Sequence, residues 1–180
     1  MKEDLDLGKM SRMLSPRLTV LVTCAREEGR PNIITLSWTM PTSIRPPMVA
    51  ISVGKRRYSH DVIKESGEFV INVPTKDIES EVWICGTTSG RKLDKFKETN
   101  LTAEKPKKVN APCIRECPIN IECKVTGSIE SGDHTIFIGK VVALSADSNI
   151  HTDGIPNPIN GKILYWRNGT KEGDTFYFTK

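Results

Sequence analysis

No stretch of the 180 residues approaches the roughly 18 consecutive apolar residues that a membrane-spanning helix needs. No membrane segment is therefore expected. The opening residues, MKEDLDLGKMSRMLS, are partly acidic and lack the apolar centre of a secretory signal, which makes a cytoplasmic protein the expectation. Nucleotide signatures are missing as well. No G-x-G-x-x-G follows a strand and no G-x-x-x-x-G-K-[ST] occurs, which excludes a Rossmann domain and a P-loop. There is no G-x-S-x-G elbow. The three histidines, His60, His134 and His151, lie far apart and form no H-E-x-x-H pair. Cysteine is sparse and odd in number: Cys24, Cys85, Cys113, Cys117 and Cys123 read as thiols. Cys113 and Cys117 lack the further ligands that a structural zinc, with roughly four, requires. No metal is expected, and a Cys113–Cys117 dithiol is an open alternative. No internal repeat and no domain linker appear, so residues 1–180 are expected to form one domain able to bury a core.

The charge is mildly basic, +4. Lysine and arginine are dispersed among acids apart from Lys55-Arg56-Arg57. That is not the footprint of a DNA-binding domain, although it suits a small anionic ligand. A nucleic-acid-binding barrel using the basic clusters and tryptophans is the rival from another class.

The apolar residues come in short runs. RLTVLVTCA, IITLSWT, MVAISVG and EFVINVP are rich in β-branched side chains and predict strands. MPTSIRPP separates two of them, and Pro46 and Pro47 bar a helix there. SHDVIKESG predicts a short helix with Ser59 as N-cap and Gly67 as terminator. KDIESEVWICG predicts a second, with Ile78, Val82 and Cys85 at helical spacing and Gly86 at its end. SGRKLDKFKE predicts a third, with Leu93 and Phe96 on one side. Residues 119–147 alternate apolar and polar on both sides of ESGD and predict a long antiparallel hairpin. The last thirty residues hold two short strand candidates. Many short strands in hairpin order with three small helices argue for a mainly β protein, a closed or nearly closed antiparallel barrel.

Chemistry concentrates at two helix starts. Free N–H groups and the helix dipole at Ser59 favour an anion, and Lys55, Arg56 and Arg57 precede it directly. TTSGR repeats the pattern, with small hydroxyls, a glycine and then Arg91. Taken singly, Ser59 is an ordinary cap and the basic residues a solvated face. His134, just past the hairpin turn, has the ordinary reading of an exposed turn histidine. Trp38, Trp83 and Trp166 are, by residue type, more often core than ligand walls.

Three segments, PNIITLSWTMPTSIRPPMVAISVGKRRYSHDVIKESGEFVINVP, CGTTSGRKLDKF and GDHTIFIGKV, occur in that order. Together they resemble the flavin reductase-like, FMN-binding split-barrel family, in particular its flavoredoxin branch. The resemblance covers roughly residues 14–146, leaving the tail 147–180 less defined. It implies a homodimer of split β-barrels, each binding FMN non-covalently near the dimer interface. It also implies roles. Ser37, Trp38, Thr39, Ser52 and Val53 would present hydroxyl and backbone groups to the flavin, and Asn32 would hydrogen-bond in the same region. Ser59 would hold the phosphate, and Ser89, Arg91 and Lys95 would add donors and positive charge. His134 would stand close to the cofactor. Of the aromatics in ILYWRNG, Trp166 is the one expected against the flavin.

The implied function is an oxidoreductase that takes electrons from NADH or NADPH through bound FMN. The acceptor is expected to be a small molecule, such as free flavin or ferric iron, or a redox protein. The alternative is an electron carrier of the flavoredoxin type, reduced by a protein partner. In either case the cofactor does the chemistry, and the protein supplies position and electrostatics.

Overall fold

The computed structural model of the chain describes residues 2–157, 162–170 and 173–178, with the residues beyond 165 described by their backbone. Seven strands form the main sheet: β1 (Val20–Cys24), β2 (Asn32–Leu36), β3 (Thr39–Ser43), β4 (Met48–Gly54), β5 (Glu68–Val73), β6 (Ile119–Ser131) and β7 (His134–Ala146). Three helices are inserted: α1 (Tyr58–Ser66), α2 (Glu79–Thr87) and α3 (Lys95–Thr99). A hairpin of β8 (Leu164–Thr170) and β9 (Gly173–Phe178) pairs with the short Arg17–Leu18 strand in a second sheet. No helix among the described residues is long and apolar enough to cross a membrane.

The order across the main sheet is β2-β1-β5-β6-β7-β4-β3, and every described pairing is antiparallel. Its two edges, β2 and β3, are consecutive in the chain, with only Ser37 and Trp38 between them. An edge strand can run on into the opposite edge over two residues only if the sheet has curled into a barrel. On the β3 side the Ser52 amide donates to the Trp38 carbonyl at 2.9 Å, which extends the β3–β4 ladder up to the seam. The split in the barrel therefore lies where the Ser-Trp-Thr triplet sits.

Strand alternation divides the core into two layers. Val20, Val22, Ile34, Ile51, Val53, Phe69, Ile71 and Phe137 fill the barrel. Leu21, Ile33, Val82, Cys85, Ile114 and Cys117 pack on its outside, where α2 covers the sheet. Phe69 and Phe137 are buried, each a stabilisation of about 2–3 kcal/mol. Their packing demands glycine at 139, where a Cβ would lie 2.7 Å from Cζ of Phe69. Outside the barrel, buried Asn72 donates to the Leu21 carbonyl at 3.0 Å and accepts from the Ile114 amide and the Asn120 side chain, each at 2.9 Å. It fastens the segment before β6 to the sheet.

Several expectations are corrected. α1 begins at Tyr58, because Arg57 is extended (φ −76°, ψ 138°) and its carbonyl accepts from the His60 amide. Ser59 is thus the second helical residue and not the N-cap, while Gly67 ends the helix at φ 69° as expected. The helix expected over SGRKLDKFKE is only α3, capped by Asp94; Ser89–Lys92 is a turn, so Arg91 starts no helix. Gly86 lies inside α2, which runs on to Thr87. Residues 40–43 of the expected linker belong to edge strand β3, which tolerates Pro41 because an edge needs fewer donors. Trp38 and Trp83 are 38% and 43% exposed, so neither is a core residue. The side chain of Trp166 lies outside the described residues; its backbone pairs with Arg17. All five cysteines are free and buried, and Cys113 and Cys117 pack into different apolar clusters.

Candidate functional site

Three cavities follow one another along the barrel seam. The first, of about 140 Å³, lies between the start of α1 and the loop after α2. Arg56, Arg57, Ser59, Thr88, Ser89 and Asn32 are in its wall, and no carboxylate is. Neither Arg56 nor Arg57 forms an ion pair among the described residues. Ser59 and Asn32 are buried, and the Asn32 amide donates to the Ser59 hydroxyl at 2.7 Å. Ser59 occupies a first-turn position whose backbone N–H has no intrahelical acceptor. Two guanidiniums, several hydroxyls, a helix start and no opposing carboxylate make a donor set for a dianion such as a phosphate monoester.

Glycine at 90 keeps this wall closed. A Cβ there would lie 2.0 Å from Oδ1 of Asn32 and 2.8 Å from the Tyr58 ring. Arg91 stands at the rim rather than in the cavity wall. It pairs with Asp61 at 2.6 Å and stacks over Tyr58, whose ring also has Arg26 beside it.

Lys95 is beneath the same cavity, 3% exposed. Its ammonium donates to the carbonyls of Ile33, at 2.7 Å, and Cys85, at 2.6 Å. Burial pushes its pKa below the ordinary lysine value. Desolvation also raises the neighbouring thiols, Cys24 to about 12 and Cys85 to about 11, so both stay neutral.

The second cavity, about 160 Å³, adjoins the first through Ile34, Arg57 and Gly86. Ser37, Trp38, Ser52 and His134 line it. Trp38 stacks on His134, with ring centroids 4.7 Å apart. Nδ1 of His134 lies 2.7 Å from the Asp133 carboxylate, and that contact holds the carboxyl below its ordinary range. The third cavity, about 390 Å³, is mostly apolar and shares Ser37, Trp38 and Ser52 with the second. Met10, Leu14 and Met40 stand around it, and each is exposed.

The sequence-derived residues thus gather in one cleft. Asn32, Ser59, Ser89 and Lys95 meet at its polar end, and Ser37, Trp38, Thr39, Ser52 and His134 in its middle and apolar parts. Val53 is apart: its side chain is buried in the barrel. The Thr39 hydroxyl is already spent on the Ala50 carbonyl, at 3.1 Å. Sequence reasoning missed Tyr58, for which residue type and spacing carry no signal, and reached Thr88 only as one of the small hydroxyls of TTSGR.

Comparison with known proteins bears on the family and the fold. The family model described as "Flavin reductase like domain" matches residues 10–174. An uncharacterized protein of Archaeoglobus fulgidus is 39% identical over 159 residues, covering 88% of each chain. The flavin reductase (NADH) of Kitasatospora aureofaciens is 27% identical, covering 84% of this chain and 73% of that one. Among solved structures, the flavoredoxin of Desulfovibrio vulgaris (Miyazaki F) superposes with a TM-score of 0.85 at 29% identity, covering 100% of this chain and 94% of that one. The chain belongs to the flavin reductase like domain family and has its split-barrel fold.

Proposed function

We propose that the protein binds FMN and is an NAD(P)H-dependent oxidoreductase of the flavin reductase type. The observation that carries this reading is the seam cleft itself. A carboxylate-free end with two unpaired guanidiniums leads directly into a chamber walled by Trp38 and His134. A ligand with a terminal phosphate, a polar chain and a flat ring system matches that sequence of environments.

Arg57, Ser59 and the Thr88–Ser89 loop would hold the phosphate, with Asn32 orienting the Ser59 hydroxyl. Ser37 and Ser52 would meet the polar chain and ring edge, and Trp38 the ring face; all three line the adjoining cavities. FMN held there would supply the redox chemistry between a nicotinamide donor and a second acceptor. The chain's part is to position both and to limit water at the ring. The exposed Met10, Leu14 and Met40 beside the apolar cavity support a homodimer that covers this end of the cleft.

A second reading is favoured by the flavoredoxin likeness: an electron carrier reduced by a protein donor, without its own NAD(P)H oxidation. Stopped-flow bleaching of the FMN-loaded protein separates the two. Rapid reduction by NADH or NADPH supports the enzyme. Failure of both, with rapid reduction by a low-potential redox protein, contradicts it in favour of the carrier.

A further inference from the structure

Among the described residues, Lys95 is the only lysine or arginine that is buried. Both of its hydrogen bonds go to backbone carbonyls, and no carboxylate lies within ion-pair distance of it among the described residues. The two carbonyls belong to two different elements that wall the phosphate-sized cavity. Ile33 stands between Asn32 and Ile34 on β2, and Cys85 precedes the Gly86–Gly90 wall at the end of α2. A cation at a helix C-terminus is favourable, and a neutral donor could make the same hydrogen bonds. A buried ammonium without a counter-ion, however, is costly. The two carbonyls and the helix end offset part of that cost, and the cavity directly above, with no carboxylate in its wall, is open to an anion.

We infer that Lys95 is a positioning residue for the phosphate of the ligand: its ammonium ties the two walls together and charges the cavity from beneath, without bonding to the anion. The inference rests on the FMN reading and goes beyond it by separating Lys95 from the residues that touch the ligand. It also predicts a pH dependence. Burial lowers the ammonium's pKa in the free protein, whereas a bound dianion favours the charged form. By linkage, affinity for the dianion is full while free Lys95 is protonated, and it falls as pH rises through the free protein's value. The groups facing Lys95 are Arg57 before α1, Tyr58 on α1, Cys24 on β1 and Cys85 on α2. Both thiols stay protonated through the window, at about 12 and about 11, and arginine does not titrate there.

The test is calorimetric titration of the apo protein with inorganic phosphate, FMN and riboflavin at about pH 7.5 and about pH 10. Inorganic phosphate is mainly the dianion at the lower pH and entirely so at the higher, so its own ionisation cannot weaken binding as pH rises. Wild-type protein is expected to lose about tenfold in phosphate affinity between the two values. Lys95→Gln is expected to bind phosphate and FMN about tenfold more weakly at the lower pH, with a flat profile, and to bind riboflavin within about twofold of wild type. A slope that persists in Lys95→Gln would overturn the inference. So would a flat wild-type profile, unchanged FMN affinity in the variant, or an equal loss for riboflavin, which would mean wall geometry alone. If Lys95→Gln does not fold, the wild-type profile decides. If wild-type protein binds phosphate with the expected slope but no FMN, the FMN reading fails and the role of Lys95 stands.

Discussion

The indole of Trp38 stacks on the imidazole of His134, with ring planes 28° apart and centroids 4.7 Å apart. The two residues come from distant parts of the chain and meet beside the barrel seam. Trp38 links the edge strands β2 and β3, and His134 opens β7, where it pairs with Gly54. Their contact encloses the middle of the cleft while leaving Trp38 38% exposed. A large side chain held in place but not buried in the core is positioned to meet a ligand.

Trp38→Ala is therefore expected to separate binding from folding. FMN affinity should fall by about tenfold or more, as for an aromatic anchor. The stability of the apo protein should change by no more than about 1 kcal/mol, because little core surface is lost. Flavin fluorescence quenching and denaturant unfolding measure the two. A collapse in stability with unchanged affinity per folded molecule would make Trp38 a structural residue.

Gly90→Ala probes the polar end. The added Cβ would lie 2.0 Å from Oδ1 of Asn32, so the loop or the Asn32–Ser59 hydrogen bond must give way. FMN affinity should drop about tenfold or more while the fold persists. Truncating Asn32 in the same background should recover part of the loss, since neighbouring substitutions couple. Equal affinity for wild type and Gly90→Ala in equilibrium binding would show that this wall does not hold the ligand.

Asn72→Ala tests the fastening of the outer layer. It removes the acceptor for the Ile114 amide and the donor to the Leu21 carbonyl in a buried setting. A loss of about 2–4 kcal/mol is expected in urea unfolding. A loss under about 0.5 kcal/mol, the size of a surface substitution, would contradict the network.

Glu116 gives a stability-versus-pH prediction. Desolvation raises its pKa, but hydrogen bonds from Thr102 outweigh this and leave it below the ordinary value. A carboxyl depressed in the folded state stabilises the fold above its unfolded value of about 4.3, and that contribution is lost as pH falls through the folded value. The melting temperature of wild type should fall more steeply below about pH 4.5 than that of Glu116→Gln. Parallel curves would remove Glu116 from the acid response.

Much of this structure was legible in the residue pattern. β-Branched runs such as VLVTC and EFVINV are strands because their side chains pack on both faces of the sheet. Alternation about Gly132 was enough to read the β6–β7 hairpin. Local spacing was less reliable at helix boundaries. Ser59 resembles a cap, yet the helix starts before it, and its hydroxyl turns to Asn32, a residue 27 positions away. The Ser89–Lys92 turn reads as helix because its interactions are with distant residues: Arg91 is held by Asp61 and by the Arg56 carbonyl. Lys95 could be picked out by resemblance, but not its burial. Its partner Ile33 is 62 residues away and reaches it only once α3 packs on β2.

The central claim is that the seam cleft is a flavin site. The most direct measurement is the visible absorbance of the purified protein after incubation with FMN and removal of free ligand, followed by identification of the released flavin. We expect flavin absorbance bands, with FMN released at one molecule per chain. Protein that stays colourless in excess FMN while remaining folded would contradict the account.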